Sequence, residues 1–167
     1  MAWRGSTSPT DRVFACLAYL LPVLDVLGFV GIPLLTSGSF LAPLIGLIAQ
    51  PLWPLLVFYY GTPFLPLAAF FALYLLVVRN ETIAHFIRFN VMQSILFGIV
   101  LSLFSILWQY GLSMVVRGLN APFIQEILFN TVFLGTIAAV GYAVIQSALG
   151  RYAEIPTISE AAYTQVR

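Results

Sequence analysis

The sequence predicts an all-α integral membrane bundle of four transmembrane helices, with a proline-broken re-entrant or interfacial segment between the first and second. Three observations predict it. Hydrophobic residues fill 61% of the 167 positions and charged residues only 8%, against about 25% charged in a soluble domain. The apolar residues are gathered into runs near the ~20 residues that a membrane-spanning helix needs. The arginines, finally, fall unevenly between those runs. With four spans, Arg4, Arg12, Arg79, Arg88, Arg151 and Arg167 share one side and Arg117 alone marks the other. A fifth span would divide them three against four, so the positive-inside rule selects four and places both termini on the cytoplasmic or stromal side.

Residues 1–12 form a short polar N-terminal segment. It is too short and too poor in Arg for a transit peptide, and no small-x-small cleavage site follows the first apolar run, so that run is read as a retained span. The four-helix domain covers residues 13–149, with spans at about 13–29, 60–78, 90–113 and 127–149. The first carries Pro22 and Asp25. From Val26 to Val78 there are 53 residues without a charge. That is too long for one crossing, and Pro43, Pro51 and Pro54 are expected to interrupt any helix over residues 36–59, because each interior proline removes a hydrogen bond and clashes with the preceding turn. Residues 150–167 are a polar tail in which Thr157 and Glu160 are spaced as a capping box for a short helix ending near Val166.

Few residues offer chemistry. There is one cysteine, Cys16, one histidine, His85, and no lysine. This excludes an internal disulfide, paired-His zinc motifs and a lysine-bearing phosphate loop. No nucleophile elbow is present. The sequence therefore predicts no enzyme, no catalytic residue, no cofactor and no metal. A net charge of +1 argues against a nucleic-acid partner.

The candidate positions are polar groups in or beside the spans. Asp25 reads either as the end of the first helix at the far interface or as an intramembrane acid lining a polar cavity. Glu81, His85 and Arg88 form one polar stripe if a short amphipathic helix begins near Asn80, with Asn80 as its cap and Glu81 in its first turn. Such a stripe suits an interfacial helix or a site where His85 senses charge. Asn90 and Gln93 follow it into the third span, as glue between helices or as pore lining. Gly135, Ala139, Ala143 and Ser147, each four apart, form a small-residue stripe for packing within the bundle or against a partner.

Several stretches together resemble a known family. They lie at residues 11–22, 70–80 and 85–93, the last containing His85-Phe86-Ile87-Arg88-Phe89-Asn90, and at 130–135. The His85–Asn90 stretch is specific, and so is Gly150-Arg151-Tyr152-Ala153-Glu154-Ile155-Pro156-Thr157-Ile158-Ser159. The chain is similar to the twenty-kilodalton subunit family of the TIC translocon, the preprotein import machine of the chloroplast inner envelope, and looks like a cyanobacterial or plastid-encoded member. The resemblance implies a four-helix membrane protein that takes part in protein translocation or insertion. Its implied partners are the lipid bilayer, other membrane subunits of a translocon or assembly complex, and preprotein segments. The implied location is a cyanobacterial plasma or thylakoid membrane or the plastid inner envelope. Two rival readings are an assembly or scaffold subunit without conduction, and a small-solute transporter.

Overall fold

The computed structural model describes residues 7–166, so Arg4 and Arg167 of the arginine count lie outside the described residues. Among the described residues the fold is all-helical. Four helices are long and apolar enough to cross a membrane: α1, Pro9–Ser37; α2, Ala42–Gly61; α4, His85–Gly118; and α5, Pro122–Ala148. A shorter apolar helix, α3, covers Leu65–Val78, and the tail ends in α6, Ile158–Gln165.

Local chemistry sets the ends of α1. Ser8 accepts from Asp11 N at 3.1 Å, and the Asp11 carboxylate accepts from Ser8 N at 2.9 Å. This reciprocal box satisfies two orphan donors ahead of Pro9 at the first helical position. Gly38 closes the helix in the left-handed conformation, at φ 72°. Between these ends the helix continues past Asp25, absorbing Pro22 and a π-helical turn at Leu27–Gly31. The helix-end reading of Asp25 is thereby overturned: the acid sits in mid-helix, twelve residues short of Ser37.

α1 is the axis of the bundle. Half of its apolar stretch is buried inside the protein, against 22% for α2. It packs on α4 and α5, through Leu24, Leu27 and Phe133 in one cluster and Ala18, Phe89 and Ile95 in another. The outward faces are apolar: Leu76 is 67% exposed and Leu103 60%, while Asn90, Gln93, Ser94 and Ser147 are fully buried. Amides kept within a mostly apolar core and apolar side chains outward suit a lipid surround, because hydrocarbon offers no hydrogen-bond partner to an outward amide.

The prolines of residues 36–59 do not act as expected. Pro51 and Pro54 lie inside the continuous helix α2. Both are exposed and three residues apart, so the lost hydrogen bonds lie on the outward side, where a helix bends without ending. The interruption falls later, at residues 62–64, where Phe64 takes a left-handed φ of 63°. Over the expected second span, α3 is about 21 Å long at 1.5 Å per residue.

α2 crosses α1 obliquely. Near its start, Ile45 lies against Gly31, and near its end, Tyr60 lies over Gly28 and reaches Asp25. About 22 Å of α2 therefore advances only ~5–9 Å along α1. α3 then runs beside the first half of α4, from the level of Ser102 down to Val78, whose carbonyl accepts from Arg88 Nε at 2.9 Å.

One end of the bundle gathers the start of α1, the start of α4, the end of α5 and the tail. A Cβ on Gly150 would meet the Thr7 and Arg12 side chains, and His85 meets Tyr152 at 3.0 Å. Arg12, Arg79, Arg88 and Arg151 lie at this end. Arg117 lies about 44 Å further along α4 from Arg88.

The loop before α4 departs from the expected amphipathic helix. Residues 79–84 are a turn, and α4 begins at His85. Asn80 Oδ1 accepts from Thr82 N at 3.0 Å and Thr82 Oγ1 at 2.7 Å. This side-chain turn competes with a helical cap, so Glu81 leaves the His85–Arg88 stripe. The expected capping box of the tail is also absent. Thr157 makes no side-chain cap bond, and Ser159 accepts from Ile155 N instead.

Candidate functional site

Besides the buried pair Ser39 and Asn130, whose Oδ1 accepts from Ser39 Oγ at 2.9 Å, two larger polar sites lie inside the bundle. The first surrounds Asp25, which is 7% exposed. Tyr59 and Tyr60 both point their hydroxyls at Asp25 Oδ1, at 3.3 and 3.4 Å. Consecutive residues on α2 can reach one oxygen because the helix crosses α1 obliquely and their rings pack edge to face, centroids 5.1 Å apart. Tyr60 fits only because Gly28 has no side chain: a Cβ there would collide with the ring. Asp25 Oδ2 faces α4 at Gly98, where a Cβ would lie 3.1 Å from it. The carboxyl borders a cavity of about 410 Å³ between α1, α3 and α4, with Phe29, Phe70, Ile99 and Ser102 on its wall.

The second site is a buried network at the arginine end. Tyr19 interrupts the regular turns of α1 between Ala18 and Leu20. Its hydroxyl lies 2.6 Å from Gln93 Oε1 and 2.9 Å from Asn90 Oδ1. One phenol carries one proton. Ser147 Oγ, 2.7 Å from Asn90 Oδ1, supplies the other, leaving Tyr19 to donate across the shorter distance to Gln93. Asn90 Nδ2 donates to Phe86 O at 2.8 Å. Gln93 Nε2 donates to Ala153 O at 3.1 Å and Ser159 Oγ at 3.0 Å. Ser94 Oγ donates to Ala18 O at 2.6 Å. Three long helices and the tail are thus tied through two amides. Among the described residues no buried side-chain polar atom lacks a partner, as a dry interior requires.

His85 lies at the same end, nearer the surface, and makes its own contacts with the tail. Val166 O, 3.3 Å from Nε2, can only accept, so Nε2 carries the ring proton. In the neutral ring Nδ1 then accepts from the Tyr152 hydroxyl. Tyr152 also packs its ring on Phe86, Phe89 and Tyr163.

The residues singled out in the sequence are therefore distributed. His85, Arg88, Asn90, Gln93 and Ser147 share the arginine end. Asp25 is remote from them, and Glu81 lies in the exposed turn. Of the small-residue stripe, Ala143 and Ser147 are buried, Ala139 is half-buried and Gly135 is exposed. A four-residue step overshoots one helical turn by about 40°, so the stripe winds off the packed face. Sequence reasoning missed Tyr19, Tyr59, Tyr60, Ser94 and Ser159. For the tyrosine pair a signal was present: two adjacent phenols in a charge-free run that also follows the one acid inside an apolar run.

Fold and sites define a class: a polytopic, all-helical membrane protein with polar side chains held inside an apolar bundle. Residues 8–162 match the family model described as "Chloroplast import apparatus Tic20-like". A Tic20 family protein of Synechocystis sp. is 45% identical, covering 100% of this chain and 99% of its own length. The Tic20 family protein Ycf60 of Gracilaria tenuistipitata var. liui is 35% identical, over 93% of this chain and 75% of the relative. Protein TIC 20-II, chloroplastic, of Arabidopsis thaliana is 30% identical, over 96% and 74%. The chain belongs to the Tic20 family.

Proposed function

We propose that this chain is a non-enzymatic membrane subunit of a protein-translocating or protein-inserting complex, with both termini on the cytoplasmic or stromal side of a cyanobacterial or plastid membrane. In this reading α2 and α3 together make the second of four crossings, interrupted at residues 62–64. The arginine ends then fall as the positive-inside rule requires, with Arg117 alone on the far side.

The observation that carries the proposal is that interruption. Pro66 and Leu67, just after it, line the cavity with Asp25 and Ser102, near the middle of α1 and α4, and Phe64 is 80% exposed. Non-helical backbone at membrane depth is stable only where protein or water covers it. The open side of the second crossing therefore needs a cover from outside the chain. A client segment or a neighbouring subunit supplies it.

Family membership supports the reading, since the matching family model is described as a chloroplast import apparatus. Placing a photo-cross-linking amino acid at Phe64 in cells tests it. Adducts with newly made membrane or exported polypeptides are expected. The scaffold reading, favoured by the tail tied down through Gln93 and Ser159, expects adducts with one stoichiometric subunit only. Adducts with lipid alone overturn both.

A further inference from the structure

We propose that the cavity between α1, α3 and α4 is a binding site for an organic cation, an ammonium or guanidinium group on an aliphatic stem, with Asp25 as its counter-charge. The proposal deepens the translocon reading by naming a chemical group its clients carry, and rests on that reading only for the source of the group.

The surroundings of the carboxylate carry this assignment. Both phenols converge on Asp25 Oδ1 at the long distances of 3.3 and 3.4 Å, and Oδ2 faces Gly98 beside the cavity. No cation of the described chain is near. The sequence has no lysine. Arg12 precedes Asp25 by about 20 Å of helix, and Arg88 precedes Gly98 by about 15 Å. A carboxylate held in a membrane interior is costly unless a counter-charge meets it. Gly98 keeps the approach to Oδ2 open, since even a methyl group there would stand 3.1 Å from the oxygen.

The wall selects the kind of cation. One carboxyl, the Tyr59 phenol and Ser102 cannot assemble the six or more oxygens that Ca²⁺ or Mg²⁺ takes. Among the described residues no cluster of three His, Cys, Asp or Glu could hold a metal. The remainder is aromatic and aliphatic: Phe29, Tyr59, Phe70, Ile95 and Leu103. Ring faces attract an organic cation, and aliphatic walls solvate its stem. The volume of about 410 Å³ falls in the range of sites for small ligands.

The test uses the full chain in nanodiscs of phosphatidylglycerol, with radiolabelled butyltrimethylammonium as the probe. Saturable binding is expected, weakened at least about tenfold in Asp25→Asn, which keeps the side-chain shape. Ser102→Phe, which fills the cavity and leaves Asp25 in place, should weaken it similarly. Undetectable binding in the native chain, or equal binding in the native chain and Asp25→Asn, overturns the proposal. Two competitors identify the source. Displacement by a lysine-bearing apolar peptide marks a polypeptide amine, and displacement by added phosphatidylethanolamine marks a lipid headgroup. Displacement by neither overturns the assigned ligand class. Cross-linking from Phe64 is read independently, so this site can fail while the translocon reading stands.

Discussion

Gln93 shows what a single buried amide does in a lipid-facing fold. It accepts from Tyr19 and donates to Ala153 O and Ser159, with no exposed surface. Gln93→Leu keeps the volume but strands these groups, at about 1–3 kcal/mol for each one left unsatisfied. The expected result is a lowered unfolding midpoint in detergent together with protease cleavage after Arg151, because the tail loses its anchor. Tail cleavage unchanged from the native protein would refute this role. Gly28 carries a second prediction. Gly28→Ala puts a methyl group into the Tyr60 ring and should cost about 1–3 kcal/mol. Combined with Tyr60→Ala it should add nothing, because the collision has been removed. The amides were legible in the sequence, since a polar residue in an apolar run declares itself. Their partners were not, because Tyr19 and Ser147 meet Asn90 across separations of 71 and 57 residues.

Among the elements, the apolar runs correctly announced helices, and the tail carries a helix at Ile158–Gln165. The breaks were misplaced. A proline marks a missing hydrogen bond, but whether the helix ends depends on whether its other carbonyls keep partners. In α2 the exposed pair Pro51 and Pro54 leaves the inward ladder intact, whereas Thr62-Pro63-Phe64 ends it with a left-handed residue. Replacing both Pro51 and Pro54 by Ala should therefore leave the fold and its unfolding midpoint at or above the native value. Phe64→Gly removes the side-chain penalty of the left-handed conformation and should stabilise by about 1 kcal/mol. Thermal unfolding of the three proteins side by side checks the pair, and a proline-free α2 that melts lower would show that the kinks fit the bundle. The loop before α4 departs from the expected helix for a related reason: Asn80 can cap a helix or close a turn on Thr82, and here it closes the turn.

For the whole molecule, the proposed topology makes the last prediction. In a Cys16→Ser background, cysteines placed at Ser37 and Thr82 should react with a membrane-impermeant maleimide from opposite sides. Labelling of both from one side would remove the four-crossing arrangement. The class of the protein and the asymmetry of its ends were determined by sequence alone. Scarce charge and the clustering of arginines act residue by residue, through the cost of moving each group from water to hydrocarbon. Only the tertiary structure decided which polar groups meet. The convergence of Asp25, Tyr59, Tyr60 and Gly98 on one cavity depends on how obliquely α2 crosses α1 and where α3 resumes. A crossing angle is set by the packing of whole helix faces, which no single stretch of the chain encodes.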